Sequence, residues 1–293
     1  MRSKFLPAVG VTIILGGLFI LALVAGAGWL GLNLRPQLAG TNRVLFEGVT
    51  YQREVRRRPD PLVVHVVSVD LRQENLSFLV TPGDPQAELP LKARTTSQFL
   101  SEFGVQLAIN GDGAIPWVSR SLLDYYPHSG DPVAPIGFAA SQGTVYAGDT
   151  DAEPTLYISR TNQARFNTPP GKVYNAISGN QILVERGKPV TGLDETPQPR
   201  TAVALDKAGK RLIIIVADGR QPGYSTGVGL AELAEILIAY EAYTAMNLDG
   251  GGSSTLVIEG ENGKPVRLNT PIDQLIPGRE RPVGNHLGIY IRQ

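Results

Sequence analysis

At three points in this chain an apolar stretch runs into a polar cluster rich in glycine. They are Asn110-Gly111-Asp112, Asp218-Gly219-Arg220, and N-L-D-G-G-G-S-S from Asn247 to Ser254. At two more points polar residues open an apolar run: Arg200-Thr201, and R-P-V-G-N-H from Arg281 to His286 ahead of L-G-I-Y-I. Strand ends are where a fold gathers polar side chains at one rim, so the pattern asks for short strands whose ends meet. Each dipeptide alone is a common turn. Their recurrence in one chain points to a site.

The elements around these clusters read as mixed α and β. The stretch from Pro61 to Leu71 is β-branched and predicts a strand, with His65 as a structural polar residue inside it. Residues 95–103 predict a short helix capped by Thr95 or Thr96 and ended by Gly104, followed by a strand to Asn110. A long loop rich in Pro, Gly, Tyr and Asp then runs to about Asp131, a length that marks functional loops, and His128 within it is a candidate substrate contact. Three hairpins are expected: I-G-F-A-A-S with T-V-Y-A-G, Y-N-A-I-S-G with Q-I-L-V-E-R-G-K-P-V through Gly179-Asn180, and T-A-V-A-L-D with R-L-I-I-I-V-A-D near Ala208-Gly209. From Gly229 to about Thr244 the spacing of Leu230, Leu233, Ala234, Leu237 and Ile238 predicts a helix with one buried face. The fold expected is α+β: one mixed-sheet domain over residues 41–293 with few helices.

Residues 1–40 read as a separate unit. Arg2 and Lys4 precede an uncharged apolar run from Leu6 to Leu34, longer than the roughly 20 residues a bilayer needs. A signal peptide has a shorter apolar core, although Ala25-Gly26-Ala27 would serve as a cleavage site. The expectation is one transmembrane helix over residues 6–34 and a short linker, with the domain outside the cytoplasmic membrane, periplasmic or extracellular. The 27 basic and 27 acidic residues balance, so nothing suggests a nucleic-acid partner. With no cysteine, disulfides, thiolate metal sites and cysteine nucleophiles are excluded.

Consecutive glycines cost backbone entropy, so Gly250, Gly251 and Gly252 require a reason. Their N–H groups suit close approach to an anion, with Ser253 and Ser254 as further donors. No Gly-Lys-Ser/Thr follows, so the run is not a Walker loop. Gly223-Tyr224-Ser225-Thr226-Gly227 matches the serine-hydrolase elbow, with Asp249 and His286 following in the right order. Asp218 to Pro222, however, separate it from the preceding strand. Ser225 or Thr226 is instead expected to cap the following helix.

The series A-I-N-G-D, I-S-G-N-Q, P-R-T-A-V-A, A-D-G-R-Q-P-G-Y-S-T-G, E-L-A-E, M-N-L-D-G-G-G-S-S-T-L-V and R-P-V-G-N-H-L-G, in this order over roughly residues 60–292, resembles the phosphodiester glycosidase family. That family includes a lysosomal enzyme that removes N-acetylglucosamine from its phosphodiester on mannose 6-phosphate, and bacterial proteins linked to exopolysaccharide. One departure is Asn110-Gly111-Asp112-Gly113-Ala114, where many members have I-N-G-G and two aromatics. The resemblance implies a hydrolase that cleaves the glycosidic bond of a sugar 1-phosphodiester on cell-envelope or extracellular glycans. A phosphate monoester leaves readily, so a strong general acid is less necessary than in ordinary glycosidases. A carboxylate and phosphate-holding donors are required.

On that basis Asp249 is the candidate base or nucleophile, with Asp218 second. Arg200, Arg220 and Arg281 are candidates for the phosphate, and Gly250, Gly251, Gly252 and Ser253 for further donors. Asn110, Asp112, Asn247 and Asn285 are candidates for orienting the sugar, and His286 for an acid or a structural residue. No cofactor is required. A divalent cation on Asp112, Asp218 and Asp249 would make a metal-assisted phosphodiesterase instead. A non-catalytic polysaccharide-binding module is the third reading.

Overall fold

The computed structural model describes residues 14–24, 26, 28, 38–119, 121, 125–148 and 152–292. Three antiparallel sheets carry most of the chain. The largest has eight strands, among them Leu62–Asp70, Arg211–Ala217, Arg200–Asp206, Ala242–Asn247 and Gln181–Glu185, adjacent in that order. A five-stranded sheet holds Leu256–Glu259, Leu107–Asn110, His286–Ile291 and Leu76–Val80, again as neighbours. A second five-stranded sheet is built around Asn175–Ser178, between Ala139–Ser141 and Thr155–Ile158.

Period-two side-chain alternation sorts each strand between two cores. In Arg211–Ala217, Leu212, Ile214 and Val216 join Leu107, Ile109, Leu256, Leu287 and Ile289 in a core shared by the sheets. Ile213 and Ile215 face the other way, onto Leu230, Leu233 and Leu237 of the helix Leu230–Ala239. The five-stranded sheet repeats the device. Leu79, Ala108 and Val257 pack on Phe99 and Leu100 of the helix Thr96–Phe103. The stack is therefore helix, sheet, sheet, helix, and the sheet-to-sheet core fixes which strand ends come together.

The helix Thr96–Phe103 has Thr95 as its N-cap in a capping box with Gln98, and Gly104 ends it in the left-handed conformation. The strand over Leu62–Asp70 and the hairpin of Arg200–Asp206 with Arg211–Ala217 match the sequence reading.

The expectation of an α+β chain with a mixed sheet is overturned. The molecule is mostly β-sheet, and every strand pair among the described residues is antiparallel. The α-helical residues described are 14–24 with 26 and 28, Thr96–Phe103 and Leu230–Ala239. The physical reason is the spacing. Short runs joined by tight turns pair antiparallel, whereas parallel pairs need long crossovers.

The transmembrane helix is overturned as well: no helix among the described residues is long and apolar enough to cross a membrane. The helical residues described there are 14–24, 26 and 28. Six glycines between positions 10 and 31 weaken helix propensity there. Much of the expected span, residues 6–13, 25, 27 and 29–34, lies outside the described residues.

Three local readings also change. The Gly179-Asn180 pair is a crossover and not a hairpin, since Asn175–Ser178 and Gln181–Glu185 belong to different sheets. The hairpin lies one step later, where Arg186 and Gly187 turn with φ of 51 and 74 between Gln181–Glu185 and Lys188–Pro189. The helix expected to reach Thr244 stops at Ala239, and Ala242–Asn247 is a strand. Neither Ser225 nor Thr226 caps that helix, whose N-cap is Gly229. Ser225 Oγ instead donates to Asp218 O at 2.6 Å and accepts from Val63 N at 3.1 Å, holding its loop on the neighbouring strand.

Candidate functional site

Asn110 ends its strand where three others also end, and it is fully buried. Its Nδ2 donates to Asp249 O at 2.7 Å. Its Oδ1 accepts from Thr201 Oγ1 at 2.8 Å and from Thr255 N at 3.1 Å. One side chain thus ties the starts of two strands to the loop that carries Asp249, and both ends of its amide are occupied by protein. Asn285 does a similar task one step away. Its Oδ1 accepts from Asp112 N at 2.8 Å and lies 2.3 Å from where a Cβ on residue 111 would stand. Gly111 is what lets these two segments meet.

Asp112 and Asp249 open into one cavity of about 250 Å³, together with Trp117, Ile136, Ser253 and Arg281. Asp249 is held by its own N–H to Gly111 O at 3.0 Å, and its Oδ1 accepts from Gly250 N at 2.8 Å. Burial pushes its carboxyl above the usual range, and the Ser253 hydroxyl and the Arg281 guanidinium oppose that. Ser253 Oγ stands beside the carboxylate, buried and short of full hydrogen-bond geometry with any group. Asp112 accepts from Gly113 N at 2.7 Å and from Gly137 N at 2.8 Å. Burial first, and then the charges of Glu153 and Asp249, push it up to about 7 in spite of those two donors. The cavity therefore holds two carboxyl groups, and near neutral pH one of them keeps its proton far better than an ordinary aspartate.

The glycine run explains itself through two arginines. A Cβ on residue 251 would stand 3.1 Å from Arg220 Nη1, and one on residue 252 would stand 2.5 Å from Arg281 Nη2. Both guanidinium groups lie directly on the loop. Gly251 also has φ 61, a conformation that suits glycine. The run's N–H groups are partly spent: Gly250 N–H on Asp249 and Gly251 N–H on Pro199 O at 2.8 Å. Arg281 Nε donates to Asp273 Oδ1 at 2.8 Å, and its guanidinium stands 5.6 Å over the Trp117 ring. Among the described residues no acidic group lies within ion-pair distance of Arg220, which donates to Gln198 Oε1 at 2.9 Å. Burial and the nearby Arg281 charge lower its pKa. Beyond Arg281 a second cavity of about 210 Å³ is lined by Trp117, Arg220, Asp273, Leu275 and Arg281. The two cavities share Trp117 and Arg281 and form one cleft.

Other predicted residues stand apart from this cleft. Asp218 is buried and saturated. Its Oδ2 meets His65 Nε2 and Tyr224 OH, each at 3.0 Å, and its Oδ1 accepts from Asn269 Nδ2 at 3.1 Å and Thr270 N at 2.9 Å. His65 Nδ1 in turn meets Tyr51 OH at 2.8 Å. Arg200 donates to Asp194 Oδ2 at 3.1 Å and Thr196 O at 3.2 Å. Asn247 Nδ2 donates to Asn180 Oδ1 at 2.8 Å and to Leu248 O at 2.7 Å. His286 is enclosed, stacked on Phe99 with centroids 4.6 Å apart, with its Nδ1 3.1 Å from Thr81 Oγ1. Burial lowers its pKa to about 3, so near neutral pH the ring is uncharged and is not an imidazolium acid. His128 is exposed, 3.5 Å from Asp131. Asp112, Asp218 and Asp249 do not gather: no group of three His, Cys, Asp or Glu among the described residues is placed to hold a metal ion.

The sequence reading missed Glu153, Asp273 and Trp117. Asp273 carried no glycine or strand-end signal, and its role as the partner of Arg281 is purely tertiary. Trp117 was visible only as an aromatic in an exposed loop.

A family model for phosphodiester glycosidases matches residues 103–290, more than half of the chain, and this range contains every residue of the cleft. The human N-acetylglucosamine-1-phosphodiester alpha-N-acetylglucosaminidase is 43% identical over 61 residues, 21% of this chain and 11% of that enzyme. The match thus spans about a tenth of that relative's length. Among solved structures, a hypothetical protein from Synechocystis has a TM-score of 0.64 at 15% identity, covering 87% of this chain and 64% of that one. The zebrafish N-acetylglucosamine-1-phosphodiester alpha-N-acetylglucosaminidase catalytic domain, auto-inhibited by its pro-peptide, has a TM-score of 0.58 at 20% identity, covering 89% and 86%. A Burkholderia pseudomallei protein described as exported has a TM-score of 0.55 at 14% identity, covering 82% and 76%. These three share the fold. The chain belongs to the phosphodiester glycosidase family.

Proposed function

We propose that this chain is a hydrolase that cleaves the bond between the anomeric carbon of a sugar and the phosphate of a phosphodiester. The observation that carries this reading is one arrangement. The Asp249 carboxyl shares a cavity with Ser253 and Arg281, and Arg220 lies one glycine away with no acidic partner among the described residues. A phosphodiester carries one negative charge and gains a second as it leaves. Paired guanidinium groups in a recess stabilise that gain more than they stabilise the bound substrate.

In this reading water oxygen attacks the anomeric carbon and the C–O bond to phosphate breaks, its electron pair leaving with the phosphate. Arg220 and Arg281 hold the product. Asp249 takes the proton of the water, or attacks carbon first as the nucleophile. Asp112, protonated to about pH 7, binds a sugar hydroxyl as a donor. Asn110 and Asn285 act as positioning residues behind Asp249 and Asp112. Asp218, Arg200, Asn247 and His286 support the rim and do not touch the sugar.

The work falls on residues 41–293, on glycans of the cell envelope or outside the cell. The exported fold relative supports that location. A metal-assisted phosphodiesterase has no ligand cluster to support it among the described residues.

The test is hydrolysis of a panel of sugar 1-phosphodiesters by the full chain in oxygen-18 water, read by mass spectrometry. Label in the released sugar, lost in Asp249→Asn, supports cleavage at carbon. Label in the phosphate overturns it in favour of attack at phosphorus. Binding without turnover leaves a polysaccharide-binding module.

A further inference from the structure

Asp273 is buried, 1% exposed, in the hairpin of Ile272–Asp273 and Ile276–Pro277. The chain leaving that hairpin doubles back, with Gly278 N–H on Pro271 O at 2.7 Å and Arg279 N–H on Ile276 O at 3.2 Å. Arg279, Glu280 and Arg281 then alternate in direction. The two arginines turn toward Asp273, and Glu280 turns away to accept from Ser97 N at 2.9 Å and to face Arg267 Nη1 at 3.5 Å. Asp273 Oδ1 accepts from Arg281 Nε at 2.8 Å, and its Oδ2 lies 3.6 Å from Arg279 Nε. Each arginine also stands over an aromatic ring of the cleft, Arg281 over Trp117 and Arg279 over Tyr125, each at 5.6 Å.

An arginine and a carboxylate often pair side by side through two parallel N–H···O bonds, which would occupy the guanidinium fork. Asp273 takes only Nε of Arg281. Among the described residues Arg281 makes no other hydrogen bond, so both Nη groups remain for an anion. They lie on the glycine loop that carries Asp249: Nη2 is 2.5 Å from where a Cβ on residue 252 would stand. One carboxylate between two guanidinium groups also leaves the cluster positive. We propose that Asp273 is a positioning residue: by seating Nε it aims the two Nη groups of Arg281 at the phosphate, and it acts on the reaction only through Arg281. This rests on the glycosidase reading above for the identity of the anion. An arginine without that seat must be ordered at the moment of binding, and the seat removes that cost in advance.

The experiment is a double-mutant cycle on the full chain, with Asp273→Ala and Arg281→Ala made alone and together. It is read as kcat/KM for 1-phosphodiesters of N-acetylglucosamine, glucose and mannose, and as the Kd of inorganic phosphate. Asp273→Ala should weaken phosphate binding about tenfold and lower kcat/KM by about 10²-fold. In the Arg281→Ala background the same change should cause no further loss. Asp273→Asn, which keeps an acceptor for Nε, should retain most of both values. Melting curves report folding, and Asp273→Leu, an apolar replacement of similar size, takes the place of an Asp273→Ala chain that does not fold. Losses that multiply in the double variant overturn the assignment, because Asp273 then acts by another route. A folded Asp273→Ala chain with natural kcat/KM and Kd overturns it too, as does an Asp273→Asn chain as impaired as Asp273→Ala. The expected cycle in phosphate Kd without turnover of any diester keeps the assignment and overturns the glycosidase reading. A natural chain that neither binds phosphate nor hydrolyses a diester overturns both.

Discussion

A methyl group on residue 252 would stand 2.5 Å from Nη2 of Arg281, so Gly252 is the seat of a guanidinium group. One residue earlier, Gly251 seats Arg220 in the same way, at 3.1 Å. The glycine run suggests backbone donors for an anion when it is met as sequence. In the fold its main service is the absence of side chains. Two arginines can lie flat beside Asp249, and in the proposed reaction it is their guanidinium groups, more than the N–H groups, that hold the phosphate.

Gly252→Ala should therefore act on chemistry more than on folding. Arg281 is held by Asp273 at 2.8 Å, so its displacement breaks a bond as well as a position. We expect kcat/KM to fall by about 10²-fold, the cost typical of misplacing a positioning group by about 1 Å. The thermal midpoint should change by only a few degrees, since the position lies on a loop. Steady-state kinetics with a parallel melting curve decides it, and unchanged kinetics would show that Arg281 does not hold the substrate.

Asp249→Asn keeps the size of the side chain and can still accept from Gly250 N–H. The loop is held independently by Asp249 N–H on Gly111 O and by Asn110 on Asp249 O. Turnover should fall by about 10³-fold or more while near-ultraviolet circular dichroism stays that of the parent. An active, folded Asp249→Asn protein would remove Asp249 from the reaction.

Asp218→Ala should show the reverse. Its carboxylate holds His65, Tyr224, Asn269 and the backbone at Thr270, and it faces none of the cleft. Removing it orphans four buried groups, which we expect to cost about 3–5 kcal/mol of stability. The folded fraction should retain kcat. Urea unfolding against active-site-normalised turnover separates the two effects.

The difference between Asp249 and Asp218 also marks how far sequence reading reaches. Both follow a strand and precede glycine, so both looked alike as candidates. The strands themselves were legible, because β-branched runs such as Leu62–Asp70 and the capped helix Thr96–Phe103 carry local signals. Which strand ends meet was not, since it depends on the alternation of Leu212, Ile213 and Ile214 between two cores. The Gly179-Asn180 pair had the chemistry of a hairpin, yet its flanking strands joined different sheets, a tertiary outcome that overrides turn propensity. Asp273 as a partner for Arg281, and Glu153 as a charge on Asp112, arise only from packing and had no local trace.

Asp112 and His286 give opposite pH signatures. Burial raises Asp112 from the ordinary 3.8 to about 7, so the folded state keeps a proton that the unfolded chain releases. Its contribution to stability is complete below pH 3.8 and is lost as pH rises through about 7. Burial lowers His286 from 6.5 to about 3, so the unfolded chain takes a proton that the folded state refuses. Its contribution is complete above pH 6.5 and is lost as pH falls toward 3. Between pH 4.5 and 6.5 the two effects oppose each other in the natural chain. Relative to that chain, Asp112→Asn should gain about 2 kcal/mol as pH rises across the interval, and His286→Gln should lose about the same. Each variant also disturbs its contacts, since an asparagine at 112 cannot accept from both Gly113 N and Gly137 N, so the slope carries the information and the absolute level does not. Urea midpoints at the two pH values measure the slopes. Parallel pH dependence in all three proteins would show that neither group is held away from its ordinary protonation by burial.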